Sequence, residues 1–387
     1  MNTAYIIDAV RTPIGRRGGG LSHIRADELA ALPLRALVQR VGLDPALLDD
    51  VVMGCVTQVG EQGLNIGRNA ALLAGFPVDV TGCSVNRMCG SSQQALHFAA
   101  MGVASGAQDL VIAAGVESMS RVPMGADMAL EGAMVPPSPA LSWRFTIVPQ
   151  GISADLVAER FQLRREELDE YSLESHRRAA AADDADAFVA EIVPVSTVDA
   201  AGQTVTIARD EGIRRDSTLA KLSSLKPAFQ ATGLSTAGSS SQISDGAAAV
   251  LLASEAAVKR YGLKPRAKVI SLSTAGVDPT IMLTAPIGAT RKALARAGLK
   301  VEALDAVEIN EAFASVALGC GRELGFDFDR VNVRGGAIAL GHPLGASGAR
   351  LMTTLLGVLE STGGRYGLQT MCIGFGQATA TLIEAIG

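Results

Sequence analysis

Short apolar runs alternate with longer stretches of helical periodicity along most of the chain. The runs DLVIAAGVE, AKVISLS and GLQTMCIG indicate apolar strands. The stretches SSQQALHFAAMGVASG and ASGARLMTTLLGVLEST repeat apolar residues at helical spacing and are rich in small residues. This alternation predicts an α/β fold in which helices cover both faces of the sheets.

The same pattern occurs twice, at a distance of 256 residues. The segments 34–54 and 290–310 share a Gly, two Leu, an Asp and a Val at equivalent places. Each copy predicts a helix ended by Gly, a short loop and an apolar strand. At the same distance the turn CGSS (89–92) falls on the turn GASG (345–348), each at the start of a small-residue helix. A repeat of this length indicates a duplicated domain rather than a solenoid.

A segment of different composition separates the two copies, from about position 120 to 244. It contains the Pro-rich MVPPSPALSW, the acidic and Ala-rich helical stretch REELDEYSLESHRRAAAADDADAF and the Ser/Gly-rich TAGSSSQISDG. We interpret it as an insertion whose loops cover a substrate site. The predicted domains are a first half at 1–121 plus 245–265, an inserted loop domain at 122–244 and a second half at 266–387.

Composition and charge narrow the possible functions. The 387 residues exceed the roughly 250 to 300 at which a single core stops growing, so two or three domains are expected. The 34 Lys and Arg against 39 Asp and Glu give a net charge of -5, which argues against a nucleic-acid binder. Charged residues make up only 19% of the chain, which favours surface buried in an oligomer.

Cysteine usage and the N-terminal sequence predict a cytoplasmic protein. The five cysteines are an odd number spread over a long chain, as is typical of thiols kept reduced. Neither CxxC nor HExxH occurs, so no metal site is predicted. The start, MNTAYIIDAVRTPIG, has Asp and Arg where a signal peptide needs its apolar region. The longest uncharged run, 88–108, contains too much Ser, Gln and Gly for a membrane span.

Two turns of the repeat carry a candidate nucleophile and a candidate base. Cys89, in VNRMCGSSQQAL, lies between a short apolar strand and a helix, where the helix dipole should favour the thiolate and lower the thiol pKa. His342, in the glycine-dense RGGAIALGHPLGASGAR, lies three residues before Gly345, the equivalent of Cys89. If the turns meet across a pseudo-twofold axis, the two form a nucleophile and base pair. A Cys89 that only packs and a His342 that is satisfied within its loop are the alternatives.

Two further candidates lie at the ends of predicted strands. Cys372, in QTMCIGFGQATATL, precedes a Gly turn, where a second thiol can act as acid or base or can simply pack. Asn310, in EINEAFAS, can hold a water or an oxyanion, or can cap the next helix. GFGQAT lacks the third Gly of a dinucleotide fingerprint, so it does not indicate nucleotide binding of that kind.

Together these segments resemble the thiolase family over essentially the whole chain. NRMCGSS, TAGSSSQISDGAAA, NEAFA, GGAIALGHPLGASGAR and MCIGFG occur in the family's order and spacing. The resemblance implies a duplicated thiolase fold with five layers, αβαβα, and an inserted loop domain. It implies an acyl-CoA:acetyl-CoA C-acyltransferase (3-ketoacyl-CoA thiolase), which cleaves 3-ketoacyl-CoA with CoA. No permanently bound cofactor is implied, CoA is a substrate, and the assembly is a homodimer or homotetramer.

The same resemblance implies roles for individual residues. Cys89 is the nucleophile that becomes acylated, His342 activates it, and Cys372 moves a proton onto or off the acetyl-CoA carbon. Asn310 holds a water that forms one oxyanion hole with His342, and the main-chain N–H groups of Cys89 and Gly374 form a second. The residues implied in substrate binding are Ser241 near the pantetheine, Arg214 at the adenine nucleotide and Phe313 in the acyl pocket.

The chain departs from the family pattern at several positions. It has Ser92 where many members have CGSG, Phe375 where they have GGG, and Gln150 where short-chain biosynthetic enzymes have a His-Met-Gly segment. It also has Ser239 and Ser244 where acetoacetyl-CoA enzymes usually have Asn. This combination is more similar to degradative 3-ketoacyl-CoA thiolases, including those of steroid breakdown. The alternatives are a biosynthetic acetoacetyl-CoA thiolase that runs the Claisen condensation, a decarboxylating ketosynthase, and a thiolase-like lipid-binding protein.

Overall fold

A computed structural model describes residues 2–198 and 201–386. Met1, Asp199, Ala200 and Gly387 belong to the predicted domain ranges but lie outside the described residues. The strands are β1 (Ala4–Arg11), β2 (Gly15–Arg16), β3 (Asp50–Gly54), β4 (Thr81–Val85), β5 (Leu110–Ser118), β6 (Ala129–Leu130), β7 (Ala133–Met134), β8 (Val195–Val198), β9 (Thr204–Ile207), β10 (Ser244–Ser254), β11 (Ala267–Gly276), β12 (Ala306–Ile309), β13 (Tyr366–Ile373) and β14 (Gln377–Ala385). The helices are α1 (Ala26–Val41), α2 (Ile66–Leu73), α3 (Ser91–Ser105), α4 (Pro139–Arg144), α5 (Gln150–Arg160), α6 (Arg165–Asp184), α7 (Leu219–Ser223), α8 (Glu255–Tyr261), α9 (Ala285–Ala297), α10 (Ala314–Leu324), α11 (Ala337–Leu340) and α12 (Ser347–Thr362). Among the described residues, no helix has the length and apolar character needed to cross a membrane.

The two copies of the sequence repeat fold alike. The strands β3 and β12, the helices α3 and α12, and the strands β5 and β13 all start 256 residues apart. The helices α1 and α9 both end at a Gly in the left-handed conformation, Gly42 with φ 69° and Gly298 with φ 66°. Glycine suits these positions because it has no Cβ to clash in that conformation. The duplication predicted from the sequence is confirmed.

Each half contributes its own set of strands. The hydrogen-bonded order is β12-β13-β14-β11-β1-β10-β5-β3-β4, with β2 beside β10. Two residue pairs, Tyr5 with Lys268 and Ile6 with Ala267, join β1 of the first half to β11 of the second. The helices α3 and α12 contact each other and strands of both halves, while α1 packs on the first sheet and α9 on the second. The layers are therefore helix, sheet, helix, sheet and helix, as predicted.

Three large apolar clusters fill the spaces between these layers. One lies between α1 and the first sheet, one around the central helices, and one between the second sheet and α9 and α10. Fully buried members of the three clusters are, in turn, Leu34 and Ile112, Leu96 and Met352, and Leu368 and Val316. Burial of one such side chain contributes roughly 1.5 to 3 kcal/mol. The central helix layer, more than the short β1–β11 junction, therefore holds the halves together.

The insertion contacts the first half through the ion pairs of Arg11 with Glu191 and Asp210, and its helices α5 and α6 contact the second half. Its helices α5 and α6 pack against α10. The Ser315 hydroxyl donates a hydrogen bond to the Ala154 carbonyl at 2.9 Å. The Glu311 carboxylate, one residue beyond Asn310, accepts hydrogen bonds from Tyr171 and Ser175 of α6. These contacts position α5 near the strand ends of the second half, while the boundaries 122 and 244 of the inserted domain stay predictions.

The backbones of the two halves approach closely at a pair of glycines. A Cβ atom on Gly345 would lie 2.3 Å from the carbonyl oxygen of Val116 in β5. A Cβ atom on Gly115 would lie 2.2 Å from the carbonyl oxygen of Gly345. Side chains do not pack against backbone at such distances, so both positions require glycine.

Gly345→Ala is expected to lower the free energy of unfolding by about 3 kcal/mol, because β5 cannot move away without breaking the sheet. Urea unfolding followed by circular dichroism measures the change. Gly276→Ala in β11 is the matched control, since its Cβ would lie 3.8 Å from the nearest atom and fits without strain. Equal urea midpoints for the two variants would contradict this account of the seam.

Candidate active site

Four of the residues predicted from the sequence lie at the seam between the halves. Cys89 follows β4 and precedes α3, Asn310 follows β12, His342 lies between α11 and α12, and Cys372 is near the end of β13. All four are buried, with Cys89 the most exposed at 5%. The structure therefore collects side chains from both copies of the repeat in one dry location.

Cys89 occupies a tight turn and has three donors near its sulfur. The preceding residue, Met88, has φ 47°, an uncommon conformation for a residue with a side chain. The Met88 N–H donates to Oδ1 of Asn86 at 2.8 Å, which holds the turn. The main-chain N–H groups of Cys89 and Gly374 and the side chain of Gln150 lie near the thiol, and each lowers its pKa.

Burial dominates the acidity of this thiol. Desolvation raises the pKa of Cys89 to about 11, the donors offset this only in part, and the nearby carboxylate of Glu117 raises it further. The sequence-based expectation that the helix dipole lowers this pKa is wrong. Cys89 stands two residues before Ser91, where α3 begins, and the loss of hydration outweighs the dipole. In the resting protein the group is a thiol, so a base must take its proton.

We expect alkylation of Cys89 by iodoacetamide to accelerate about tenfold per pH unit between about pH 7 and pH 10, since only the thiolate reacts. Peptide mass spectrometry at fixed reaction times measures the modified fraction. Cys83, exposed on β4, provides an internal comparison in the same digest. A plateau of the Cys89 rate below about pH 8.5 would contradict a pKa raised by burial.

His342 is held as a neutral ring with a defined tautomer. Its Nδ1 lies 2.5 Å from the Ser347 hydroxyl, which itself donates to the Pro343 carbonyl at 2.8 Å. Ser347 must therefore accept the Nδ1 proton, which leaves Nε2 unprotonated. The side-chain amide Nδ2 of Asn310 lies 3.2 Å from Nε2 and donates to it. Burial, and then the charge of Arg350, lower the pKa of His342 to about 3.

Asn310 presents an unused acceptor to the site. Its Oδ1 is buried and has no hydrogen-bond partner among the described residues. The alternative interpretation of Asn310 as a helix cap is wrong, because Phe313 is the residue that precedes α10. A buried oxygen of this kind indicates a place for a water or a polar substrate group.

Cys372 supplies a second protonated thiol. Burial raises its pKa well above the usual value, and the neighbouring Cys89 raises it further. Ile373, the next residue, packs in one apolar cluster with Cys89 and with Leu344, two residues beyond His342. The two thiols and the imidazole therefore share an environment that keeps all three groups neutral.

The turn equivalent to that of Cys89 binds a buried carboxylate, that of Glu117, whose pKa is raised by burial. The main-chain N–H of Gly345, 256 residues from Cys89, donates to Oε2 of the Glu117 carboxylate at 2.8 Å. The same carboxylate accepts two main-chain N–H groups of the loop after β3 and the side-chain amide of Gln62 at 2.7 Å. This turn geometry therefore binds a carboxylate with main-chain and amide donors.

The three residues predicted to bind substrate lie in the insertion or beside it. Phe313 is buried, with its ring edge-on to Phe229 at 5.6 Å between centroids. The Ser241 N–H donates to the carbonyl of Ala312, the residue before Phe313. Arg214 is exposed on the insertion. Ser241 and Phe313 are therefore neighbours, while Arg214 lies outside the buried group.

Sequence reasoning missed two residues of the site. Gln150 was noted only as a departure from the family pattern, although its side chain contacts the Cys89 thiol. Glu117 was not singled out, although an acid at the end of the otherwise apolar run LVIAAGVES is itself a signal of a buried, hydrogen-bonded carboxylate.

Comparisons with known proteins point the same way as the geometry. The family description "Thiolase, N-terminal domain" matches residues 4–256, and "Thiolase, C-terminal domain" matches residues 263–385. The chain is 48% identical over 393 residues to the steroid 3-ketoacyl-CoA thiolase FadA6 of Mycobacterium tuberculosis, covering 100% of this chain and 95% of the relative. It is 48% identical over 403 residues to a beta-ketoadipyl-CoA thiolase of Acinetobacter baylyi, covering all of both. The chain is also similar to two crystal structures. One is human mitochondrial 3-ketoacyl-CoA thiolase, with a TM-score of 0.91 and 34% identity, and the other is Bacillus anthracis acetyl-CoA acetyltransferase, with a TM-score of 0.92 and 38% identity. Each match covers 100% of this chain and 99% of the known structure.

Proposed function

Because the chain belongs to the thiolase family, we propose that it is a degradative 3-ketoacyl-CoA thiolase that uses Cys89 as its acyl carrier. Its thiolase fold and its acyltransferase class, both expected from the sequence, are confirmed by the family match and the structural neighbours. The observation that carries the proposal is the burial at the seam of two pairs, the neighbouring thiols Cys89 and Cys372 and the hydrogen-bonded side chains of His342 and Asn310. Cleaving a 3-ketoacyl thioester needs a nucleophile, a base, an acid and two oxyanion sites, and this set can supply them.

In the first step the thiol proton of Cys89 passes to Nε2 of His342, the unprotonated ring nitrogen, as the sulfur forms its bond to the substrate, because the pKa of the thiol lies well above that of the imidazole. The sulfur attacks the keto carbon of the substrate, and the keto oxygen becomes an alkoxide. The main-chain N–H groups of Cys89 and Gly374, which converge on the thiol, are placed to stabilise that charge.

In the second step the carbon–carbon bond breaks as the alkoxide reverts to a carbonyl. The bond's electron pair goes to the carbon beside the CoA thioester, which takes the proton of Cys372 and leaves as acetyl-CoA. A water on the unused oxygen of Asn310, together with His342, would bind the thioester oxygen while it carries enolate charge. Cys89 now holds the shortened acyl group.

In the third step a second CoA replaces acetyl-CoA and gives its thiol proton to the thiolate of Cys372. The CoA sulfur attacks the acyl carbonyl, and the same main-chain donors bind the oxyanion. Collapse releases the shortened acyl-CoA, and the Cys89 sulfur recovers its proton from His342. The scheme predicts ping-pong kinetics and uses no permanently bound cofactor.

The degradative direction is supported by two kinds of relative. Proteins about half identical to this chain are named for steroid 3-ketoacyl-CoA and beta-ketoadipyl-CoA thiolysis. The alternative, a biosynthetic acetoacetyl-CoA thiolase, is favoured by the likeness to an acetyl-CoA acetyltransferase structure.

A panel of thiolysis assays distinguishes the degradative from the biosynthetic function. Its substrates are acetoacetyl-CoA, 3-oxoadipyl-CoA, a medium-chain 3-ketoacyl-CoA and a ring-bearing 3-ketoacyl-CoA. We expect the highest kcat/KM with one of the three larger substrates. Activity confined to acetoacetyl-CoA would move the assignment to the biosynthetic enzyme. Absence of thiolysis on the whole panel would contradict both. The homodimer or homotetramer expected from the family stays a prediction, measured by light scattering.

Arg214→Ala is expected to raise KM for CoA about tenfold and to leave kcat within about twofold, because a lost charge-assisted hydrogen bond to phosphate costs roughly 1.5 kcal/mol. Steady-state kinetics with CoA as the varied substrate measures this. Arg215→Ala is the matched control, since that guanidinium pairs with Asp183 and Asp184 on α6. An unchanged KM in the Arg214 variant would refute its contact with the nucleotide.

A further inference from the structure

We propose that Gln150 is a further catalytic residue, whose side-chain amide N–H binds the oxyanion that forms on the carbon attached to Cys89. The inference rests on the proposed function, because that oxyanion exists only if Cys89 carries the acyl group. It adds a third donor to the main-chain N–H groups of Cys89 and Gly374.

The position of the Gln150 amide carries the argument. A Cβ atom on Gly374 would lie 3.1 Å from Nε2 of Gln150, so the amide extends across the face of this residue. The Gln150 side chain also lowers the pKa of the Cys89 thiol, which places it beside that sulfur. Nε2 therefore borders both the sulfur and the residue whose main-chain N–H points at it. A carbonyl oxygen attached through that sulfur falls within reach of the same amide.

The element that carries Gln150 is fixed in place. Gln150 is the first residue of α5. The Asp155 carboxylate, one turn further along, accepts the main-chain N–H groups of Leu234 and Ser235 at 3.0 and 2.8 Å. These contacts fix α5 within the insertion, and the hydrogen bond from Ser315 to Ala154 holds the helix against the second half. A donor held in place before charge develops stabilises that charge without reorganisation.

Donors of the same chemical kind bind a carboxylate at the equivalent turn of the fold. In the second copy of the repeat, Gly345 takes the place of Cys89, and its N–H binds the Glu117 carboxylate. A glutamine amide, that of Gln62, completes that set at 2.7 Å. Main-chain N–H groups plus one glutamine amide therefore bind a buried carboxylate at one turn of this protein, where burial raises the pKa of Glu117. At the Cys89 turn, Gln150 and the main-chain N–H groups of Cys89 and Gly374 offer donors of the same chemical kind to the reacting carbonyl.

The test compares three substitutions at this half-buried position. Gln150→Met keeps the length and removes the donor, Gln150→Glu replaces the donor by a carboxylate, and Gln150→Asn keeps an amide that is too short to reach. Gln39→Met, an exposed position on α1, is the control. Single-turnover release of acetyl-CoA from a 3-ketoacyl-CoA gives the acylation rate, and KM is measured in parallel.

We expect Gln150→Met to slow acylation roughly 100-fold, with KM within about threefold, as for loss of one oxyanion-hole donor. Gln150→Glu should be slower still, Gln150→Asn should resemble Gln150→Met, and Gln39→Met should match the parent. Alkylation of Cys89 at fixed pH should also slow in Gln150→Met, which a purely space-filling glutamine would not cause. An acylation rate within threefold of the parent overturns the proposal, as does a loss confined to KM or to the urea midpoint.

Failure of this inference is separable from failure of the proposed function. Mass spectrometry of the parent protein mixed with 3-ketoacyl-CoA reports whether Cys89 becomes acylated. No acyl-Cys89 in the parent would contradict the proposed function itself. Acyl-Cys89 in the parent with an equal rate in Gln150→Met would contradict only the role of Gln150.

Discussion

Cys89→Ala should abolish thiolysis, with kcat lower by roughly 10⁴-fold or more, since removal of a covalent nucleophile leaves only binding and oxyanion stabilisation. Without the Cys89 sulfur no acyl-enzyme forms, because the protein no longer supplies a nucleophile for the keto carbon. The carbon–carbon bond then breaks only if a nucleophile from solution attacks. Consumption of 3-ketoacyl-CoA in the presence of CoA measures the loss. The fold should be unaffected, because alanine fits where a small, buried thiol packs.

The matched control is Cys55→Ala. Cys55 is also fully buried and lies one residue after β3, close to Glu117. Its loss removes a thiol of the same size from the same half without touching the reacting atoms, so turnover should stay within about threefold. Turnover of Cys89→Ala within tenfold of the parent would end the acyl-Cys89 mechanism.

Cys372→Ala should slow the protonation of carbon much more than the transfer of an acyl group between sulfur atoms. Thiolysis should fall by roughly 10³-fold, because the carbon that leaves as acetyl-CoA loses its proton donor. The rate of acyl exchange between acyl-CoA and labelled CoA should stay within about tenfold of the parent rate. That exchange moves a proton to or from sulfur and not carbon, and solvent or His342 can protonate a thiolate. Radiolabel exchange and thiolysis on the same preparation measure the two rates.

Cys320→Ala is the control for this variant. Cys320 is buried in α10 and its thiol contacts the carbonyl of Leu283 at 3.6 Å. Neither rate should change by more than about threefold. If exchange falls as far as thiolysis in Cys372→Ala, then Cys372 is needed for proton transfer at sulfur, and a role specific to the carbon acid is wrong.

Local sequence signals were enough to predict the architecture. The Gly that ends each repeat helix, the Asp and apolar strand that follow, and the two small-residue helices are all encoded within about twenty residues. Gly42 and Gly298 take the left-handed conformation at the same point of each copy. The shared offset also predicted that the turns of Cys89 and His342 belong to equivalent places, and the structure brings them to one seam.

Properties that depend on distant contacts could not be predicted in this way. The sign of the pKa shift of Cys89 was wrong because the desolvation comes from residues such as Leu344 and Ile373, more than two hundred positions away. Gln150 contacts a thiol 61 positions earlier and a glycine 224 positions later, and no periodicity records such a contact. Helix dipoles can be inferred from a segment, whereas burial is a property of the whole fold.

The Glu117 carboxylate at the Gly345 turn has a consequence for how this protein diverged after duplication. Two equivalent turns arose, and each can surround negative charge with N–H donors. At one turn the chain supplies a carboxylate of its own, Glu117, so that turn became a structural joint between the halves. At the other turn main-chain N–H groups and Gln150 lie near Cys89, where charge is present only during a reaction. The two halves therefore kept the same fold after duplication, while only the Cys89 turn carries a reactive group.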